Sequence, residues 1–189
     1  MKNIVLFASG SGTNAENIIL FFNATKTAKV VAVFCNNPNA KVLERANKLQ
    51  VPTEIFTKSA LNLGNVLQKL QSYSPDCIVL AGFLLQFPKE IIQHYPNSIL
   101  NIHPALLPKY GGKGMYGMHV HQAVLENKEP ETGITIHYVN ENYDEGNIIF
   151  QEKVAISDCK SAEEIAQKIH ELEQKHFPTV VDTFLNSKF

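Results

Sequence analysis

The sequence contains no tryptophan, only three cysteines and no excess of charge of either sign. The cysteines, Cys35, Cys77 and Cys159, lie far apart without a CxxC spacing, so they support neither a disulfide framework nor a zinc ribbon. The 17 lysine and arginine residues nearly balance 18 acidic residues, which leaves no broad basic field for nucleic acid. We therefore expect reduced thiols, a small anionic ligand and no nucleic-acid partner.

Long apolar segments are also missing. The longest strongly apolar run, residues 77–85, is far short of the roughly 20 residues that span a bilayer. The N-terminus lacks the longer apolar region and the cleavage site of a signal peptide. We expect a cytoplasmic protein with no membrane partner. Its 189 residues, 44% hydrophobic and 19% charged, predict a single globular domain covering residues 1–189.

Short β-branched apolar runs alternate with amphipathic segments along the chain. This pattern predicts an α/β fold with a mostly parallel, twisted sheet and helices on both faces. Strands are predicted at residues 4–8, 30–34, 53–56, 78–81 and 98–102, and an antiparallel C-terminal strand pair at residues 133–139 and 148–156. Helices are predicted at residues 14–23, 40–49, 61–73 and 119–126, and a terminal helix begins with a capping box of Ser161 and Glu164.

A glycine-rich loop, residues 9–14, lies between the first predicted strand and the first predicted helix. Its glycines let backbone N–H groups approach an anion, and the helix N-terminus adds about half a positive charge. The loop and Ala15 also match a dinucleotide fingerprint, but Asn36 and Asn37 stand where an acidic residue would hold the ribose. The loop predicts a monophosphate site, with a purely structural turn as the alternative.

Asn101 and His103 lie two residues apart at the end of a predicted central strand, so both side chains are expected on one face. An amide and an imidazolium directed at one point form a donor pair for a developing oxyanion. Pro104 and Pro108 would fix the exit of the chain from this strand. A structural histidine is the alternative interpretation.

These residues belong to a longer motif, Asn101-x-His103-Pro-x-Leu-Leu-Pro-Lys-Tyr110, which resembles the signature of the folate-dependent formyltransferases. The loop at residues 9–14, residues 80–83 and residues 143–146 resemble further motifs of its purine biosynthesis branch, in the same order. Other branches carry extra domains for which 189 residues leave no room. The resemblance implies a single-domain Rossmann-like formyltransferase fold. It also implies formyl transfer from the co-substrate 10-formyltetrahydrofolate to the amine of glycinamide ribonucleotide, giving formylglycinamide ribonucleotide and tetrahydrofolate.

The resemblance also implies roles for individual residues. Asn101 and protonated His103 would stabilise the tetrahedral oxyanion, while Asp144 would orient the imidazole, favour its protonated form and relay a proton. No metal and no covalent intermediate are needed. The implied contacts to glycinamide ribonucleotide are Gly12, Thr13, Asn14 and Glu173, and the implied folate contacts are Leu84, Leu85, Gln86, Phe87, Asn101, Asn140, Glu141, Asn142, Tyr143 and Asp144.

Some segments depart from the family pattern. Leu84-Leu85 replaces a Met-Arg pair, residues 57–65 contain no arginine, and the four glycines of residues 111–117 predict a mobile flap.

His119 and His121 could join a metal site, but in the first turn of a helix they would not share a face. We expect a substrate or flap contact instead. His137 is either a partner near His103 or a surface residue.

Two other functions fit parts of the sequence. A nucleotide-binding domain without turnover would use the loop at residues 9–14 but would leave Asn101, His103 and Asp144 without a role. A nicotinamide-dependent reductase is disfavoured by the missing acidic residue after the second strand. For a small-molecule enzyme of this kind we expect a monomer or a weak homodimer.

Overall fold

The computed structural model describes residues 1–187, and within them the strands form one seven-stranded sheet in the order β3-β2-β1-β4-β5-β6-β7. The strands are β1 (Lys2–Ala8), β2 (Ala28–Cys35), β3 (Thr53–Ile55), β4 (Cys77–Leu80), β5 (Ile99–His103), β6 (Glu131–Tyr138) and β7 (Ile148–Ala155). The helices are α1 (Thr13–Thr25), α2 (Lys41–Lys48), α3 (Lys58–Asn62), α4 (Asn65–Ser72), α5 (Lys89–His94), α6 (Met118–Glu126) and α7 (Ala162–Ser187). Strands β1 to β5 pair in parallel, and β6 and β7 are antiparallel additions.

The sheet is covered on both faces because its central strands are apolar on both sides. In β1, Ile4 and Leu6 face one hydrophobic core, which also receives side chains of α1, α2, α6 and α7. Val5 and Phe7 alternate onto the opposite face and pack with side chains of α3, α4 and α5. The predicted fold class, a mostly parallel sheet with an antiparallel C-terminal pair between two helical layers, is confirmed.

Two helical predictions need correction. The helix predicted at residues 61–73 is two helices, because Gly64 adopts a left-handed φ of 81° between α3 and α4. The first of them begins earlier than predicted, where the Thr57 hydroxyl accepts a hydrogen bond from the Ala60 N–H at 3.1 Å. Helix α5 was not predicted, since its six residues are too few for a clear helical period.

The strand order indicates which edge of the sheet is suited to ligand binding. After β1 the chain proceeds outward through β2 and β3, then returns to the other side of β1 as β4 and β5. In open α/β sheets a crevice forms beyond the carboxyl ends of the strands at such a switch point. The loops that follow β1, β4 and β5 all leave the sheet at this edge. Among residues 1–187 no helix has the length and apolar character needed to cross a membrane.

Candidate active site

A pocket of about 660 Å³ lies at the carboxyl edge of the central strands. It is lined by all residues assigned from the sequence to catalysis or substrate binding: Gly12, Thr13, Asn14, Leu84, Leu85, Gln86, Phe87, Asn101, His103, Asn140, Glu141, Asn142, Tyr143, Asp144 and Glu173. The structure therefore brings these residues to one site, although they come from five separate segments of the chain. Their individual roles remain predictions.

Asp144 lies at the centre of a buried polar cluster. Its Oδ2 atom is 3.5 Å from Nδ1 of His103, and its Oδ1 atom is 3.5 Å from Nδ2 of Asn101 and 3.6 Å from Nε2 of His137. Asn101 and His103 project from one face of β5, as their spacing predicted. His137 stands opposite Asn101 on the neighbouring strand β6, so strand pairing brings the fourth group into the cluster.

His137 fixes the orientation of the Asn101 amide. Its Nδ1 atom donates to the Tyr138 carbonyl at 2.8 Å, which leaves Nε2 as an acceptor for Nδ2 of Asn101 at 3.1 Å. The side chain is buried, with only 2% of its surface exposed. Of the two positions predicted for His137, the surface position is wrong, and the residue instead supports Asn101.

His103 is held by the chain that follows its own strand. Its Nε2 atom donates to the Tyr110 carbonyl oxygen at 2.7 Å, so Nδ1 faces Asp144. Burial lowers the pKa of His103, although the charge of Asp144 and the bond to Tyr110 both act to raise it. The charge of Asp144 thus acts toward the protonated imidazole, the form that the resemblance implied. Burial outweighs this effect, so the pKa of His103 lies below its ordinary value and a neutral imidazole is favoured at pH 7.

Asp144 remains ionised despite its position. Burial alone would raise its pKa, but the charge of His103 and the backbone N–H of Gly112 help to hold the pKa below its ordinary value. The Gly112 N–H donates to Oδ2 at 3.0 Å. Asp144 itself has a left-handed φ of 57°, which places its side chain toward the cluster rather than toward solvent.

The glycine-rich loop places the start of α1 at the pocket. Gly12 precedes the helix with a φ of 75°, and a Cβ atom there would lie 2.4 Å from the Val42 side chain. Within residues 1–187 no side chain caps the α1 N-terminus, so its first N–H groups remain available to an anion. Both features fit an anion-binding loop, because only glycine allows this backbone so close to α2.

The terminal helix joins this loop through polar side chains. Asn14 donates to Glu173 at 2.9 Å and accepts from Gln174 at 3.0 Å. His170 lies one turn earlier with Nδ1 3.8 Å from Glu173, which raises the pKa of His170. Gln174 and His170 were not singled out from the sequence. Their spacing of one and three residues from Glu173 was the available signal, but it does not reveal the contact with Asn14.

Two segments predicted to hold the folate face one another across the pocket. Gln86 donates from its side chain to the Glu141 carbonyl at 3.1 Å, and Glu141 pairs with Lys89 at 3.0 Å. The Leu84 N–H donates to the Ser9 hydroxyl at 3.0 Å, and this hydroxyl donates to Asn36 at 2.6 Å. Ser9 thus connects the ends of β1 and β2 to the loop after β4, a role that the sequence did not indicate.

The flap, defined as residues 111–117, borders the same pocket before α6 begins. The two histidines that follow it separate: His119 is exposed against the Tyr116 ring, while His121 is 6% exposed and lines the pocket. The Nδ1 atom of His121 has no hydrogen-bond partner within residues 1–187. Over the same residues no group of three potential metal ligands occurs. This separation disfavours the metal alternative for the His-x-His pair.

Comparison with known proteins decides the family. A model described as "Formyl transferase" matches residues 2–181. The chain belongs to the formyl transferase family. Its membership confirms the resemblance drawn from the motif at residues 101–110. Membership also favours transfer chemistry over nicotinamide-dependent reduction.

Several members of the family are similar to this chain over nearly its whole length. It is 34% identical to phosphoribosylglycinamide formyltransferase of Escherichia coli (strain K12), with 98% of this chain and 88% of the relative covered. It is 37% identical to the chloroplastic enzyme of that name from Arabidopsis thaliana, covering 95% of this chain but only 64% of the relative. The crystal structure of glycinamide ribonucleotide transformylase 1 from Geobacillus kaustophilus matches with a TM-score of 0.89 at 34% identity, covering 98% and 99% of the two chains.

Proposed function

We propose that this chain transfers a formyl group from 10-formyltetrahydrofolate to the amine of glycinamide ribonucleotide in purine biosynthesis. The observation that carries the proposal is the convergence of Asn101, His103 and Asp144 on one pocket wall. The carboxylate of Asp144 lies 3.5 Å from Nδ1 of His103 and 3.5 Å from Nδ2 of Asn101. The products would be formylglycinamide ribonucleotide and tetrahydrofolate. The similarity to phosphoribosylglycinamide formyltransferases supports this choice of substrates.

Each end of the pocket fits one substrate. The N–H groups at residues 10–14 suit the phosphate of the ribonucleotide, and Glu173, fixed by Asn14, suits a ribose hydroxyl. The pterin ring would lie between residues 84–87 and 140–144, whose backbone groups can pair with its polar edge. The reacting amine and formyl carbon would then meet beside Asn101 and His103.

The reaction places charge where the buried cluster can accept it. Attack of the amine on the formyl carbon forms a C–N bond and a tetrahedral oxyanion, which Nδ2 of Asn101 would stabilise as a donor. A neutral His103 whose Nδ1 faces Asp144 can accept the amine proton through a water molecule. The carboxylate then stabilises the imidazolium. His103 returns this proton to the leaving folate nitrogen as the bond from that nitrogen to the formyl carbon breaks.

Several accompanying assignments belong to the same proposal. We assign the chain to a single domain covering residues 1–189 and to the cytoplasm, where its three free cysteines would remain reduced. The chemistry described needs no metal, since Nδ2 of Asn101 supplies the donor to the oxyanion and His103 carries the proton. The working unit would be a monomer or a weak homodimer.

The test is direct. Purified chain is mixed with 10-formyltetrahydrofolate and glycinamide ribonucleotide, and folate absorbance is followed while the product is identified by mass. We expect loss of 10-formyltetrahydrofolate in step with formation of formylglycinamide ribonucleotide, and a rate about 10²- to 10³-fold lower with His103→Ala at matched concentration. Formyl folate loss without the formylated ribonucleotide would indicate a hydrolase and overturn the proposal.

A further inference from the structure

The pocket is short of positive charge for the substrates proposed above. Its lining includes three carboxylates, those of Glu141, Asp144 and Glu173, and both proposed substrates are anions. The single arginine of the sequence, Arg45, donates to the Ser11 carbonyl at 2.9 Å and pairs with Glu16, so its charge is already engaged behind the loop. Helix α1 supplies only about half a charge.

One lysine lies in the lining, at the tip of the flap. Within residues 1–187, Lys113 is the only lysine or arginine that borders the pocket, and no carboxylate in that range pairs with it. The side chain is exposed at the pocket border. It is therefore a cation without a counter-ion beside a pocket rich in carboxylates.

The backbone of the flap holds this lysine on an anchored turn. The Met115 N–H donates to the Gly112 carbonyl at 3.1 Å, which closes a four-residue turn around Lys113 and Gly114. Gly112 and Gly114 have φ angles of 94° and 89°, although a Cβ atom at either would meet nothing within 4 Å. Glycine is therefore needed at these two positions for the backbone conformation of the turn rather than for close packing. The Gly112 N–H also donates to Asp144, which connects the turn to the buried polar cluster.

We propose that Lys113 binds an anionic group of a substrate, either the phosphate of the acceptor or a glutamate carboxylate of the folate donor. This inference rests on the proposed function and adds to it a charged substrate contact on the flap. An ammonium suits both groups, because it binds either as a point charge. The anchored turn brings the charge to the pocket while the long side chain adapts to its partner.

The test compares three variants of the whole chain. Lys113→Met removes the charge and keeps most of the apolar stem, and Lys113→Arg keeps the charge. Lys109→Met is the matched control, because Lys109 is also exposed but pairs with Glu129 at 3.0 Å and does not line the pocket. We expect Lys113→Met to raise KM for one substrate about tenfold with little change in kcat, while Lys113→Arg and Lys109→Met stay near wild type.

Truncated substrates identify the anion. If the partner is the phosphate, Lys113→Met and the wild type should have the same KM for glycinamide riboside, which lacks this group. If the partner is a carboxylate, the penalty disappears with a formyl donor that ends at the benzoate. Unchanged KM values for both full substrates would overturn the proposal, as would equal effects of Lys113→Met and Lys109→Met.

Equilibrium binding separates this proposal from the proposed function. Calorimetry with glycinamide ribonucleotide and with 10-formyltetrahydrofolate, each alone, needs no turnover, so it reports on Lys113 even if the wild-type chain transfers no formyl group. We expect about tenfold weaker binding of one ligand to Lys113→Met, and a smaller difference at high salt because exposed charges are screened. Equal affinities for both ligands in the wild type and Lys113→Met would contradict the contact.

Discussion

The side chains proposed for the chemistry are buried and bonded to one another, whereas most of the remaining side chains proposed to hold the folate are exposed. The side chain of His103 is 4% exposed and that of Asp144 10%, against 49% for Leu84 and 37% for Tyr143. The buried groups have their orientation before any substrate arrives, which is what oxyanion stabilisation requires. The exposed wall contributes backbone groups and shape. Substitutions in the first region should therefore change kcat, and those in the second should change KM.

The largest effect is expected in the buried region. His103→Ala, Asn101→Ala and Asp144→Ala should each lower kcat by about 10²- to 10³-fold, the usual cost of losing one transition-state donor. KM for both substrates should change far less, because none of the three supplies the main binding surface. Steady-state kinetics and a thermal melt of each variant check this. A residue whose variant keeps nearly wild-type kcat does not belong to the mechanism.

The pH profile sharpens the role of Asp144. A neutral His103 that accepts a proton loses activity as pH falls through its pKa, which burial lowers from the ordinary 6.5. Because the charge of Asp144 raises this pKa, Asp144→Asn should lower it further and move the acid limb of kcat/KM to lower pH. Asparagine tolerates the left-handed backbone at this position. An acid limb that moves to higher pH would contradict the proton-accepting role.

A smaller effect is expected where the two regions meet. Ser9→Ala leaves the Leu84 N–H and the side-chain Oδ1 of Asn36 without their shared partner, so the folate loop should lose its fixed distance from β1. We expect KM for the folate to rise severalfold with kcat nearly unchanged, and Ser9→Thr to restore it. Ser72→Ala serves as the control, because this exposed hydroxyl donates to the Lys69 carbonyl and lies outside the pocket lining. A fall in kcat alone would place Ser9 in the reaction rather than in the folate wall.

The smallest effect is expected at the exposed wall. Leu85→Ala should raise KM for the folate modestly, by about 1 kcal/mol of lost packing, because its side chain is only half-buried. KM for glycinamide ribonucleotide should stay nearly constant. Gln86→Pro should be worse, since it removes a backbone donor and restrains φ. Kinetics with each substrate varied separately decide the matter, and a weakened ribonucleotide with unchanged folate would place the pterin elsewhere.

Patterns within single segments were readable from the sequence, and contacts between distant segments were not. The buried runs of β1, β4 and β5 and the pairing of Asn101 with His103 follow from periodicity alone. The contact of Asn14 with Glu173 joins residues 159 apart, and no local spacing encodes it. The face of His137 was undecided for a different reason. Residues 132–137 are buried on both sides of β6, so alternation cannot distinguish the pocket from the core.

The break between α3 and α4 shows that a helical pattern in the sequence does not guarantee one continuous helix. Leu63, Leu67 and Leu70 follow one another at spacings of four and three residues, which gives residues 61–73 an apparently continuous helical pattern. Gly64 ends this continuity because its backbone takes a left-handed conformation that no helix contains. A glycine inside a helical pattern permits such a break without requiring it, so only the folded chain decides.

The most direct test of the buried cluster is a double-mutant cycle on kcat with His103→Ala and Asp144→Ala. If both residues act on one transition state through the 3.5 Å contact, the double variant should be clearly less impaired than the product of the two single effects. We predict a double variant close to the worse single variant. Effects that multiply fully would show two independent contributions and contradict the assignment of His103 and Asp144 to one proton-transfer unit.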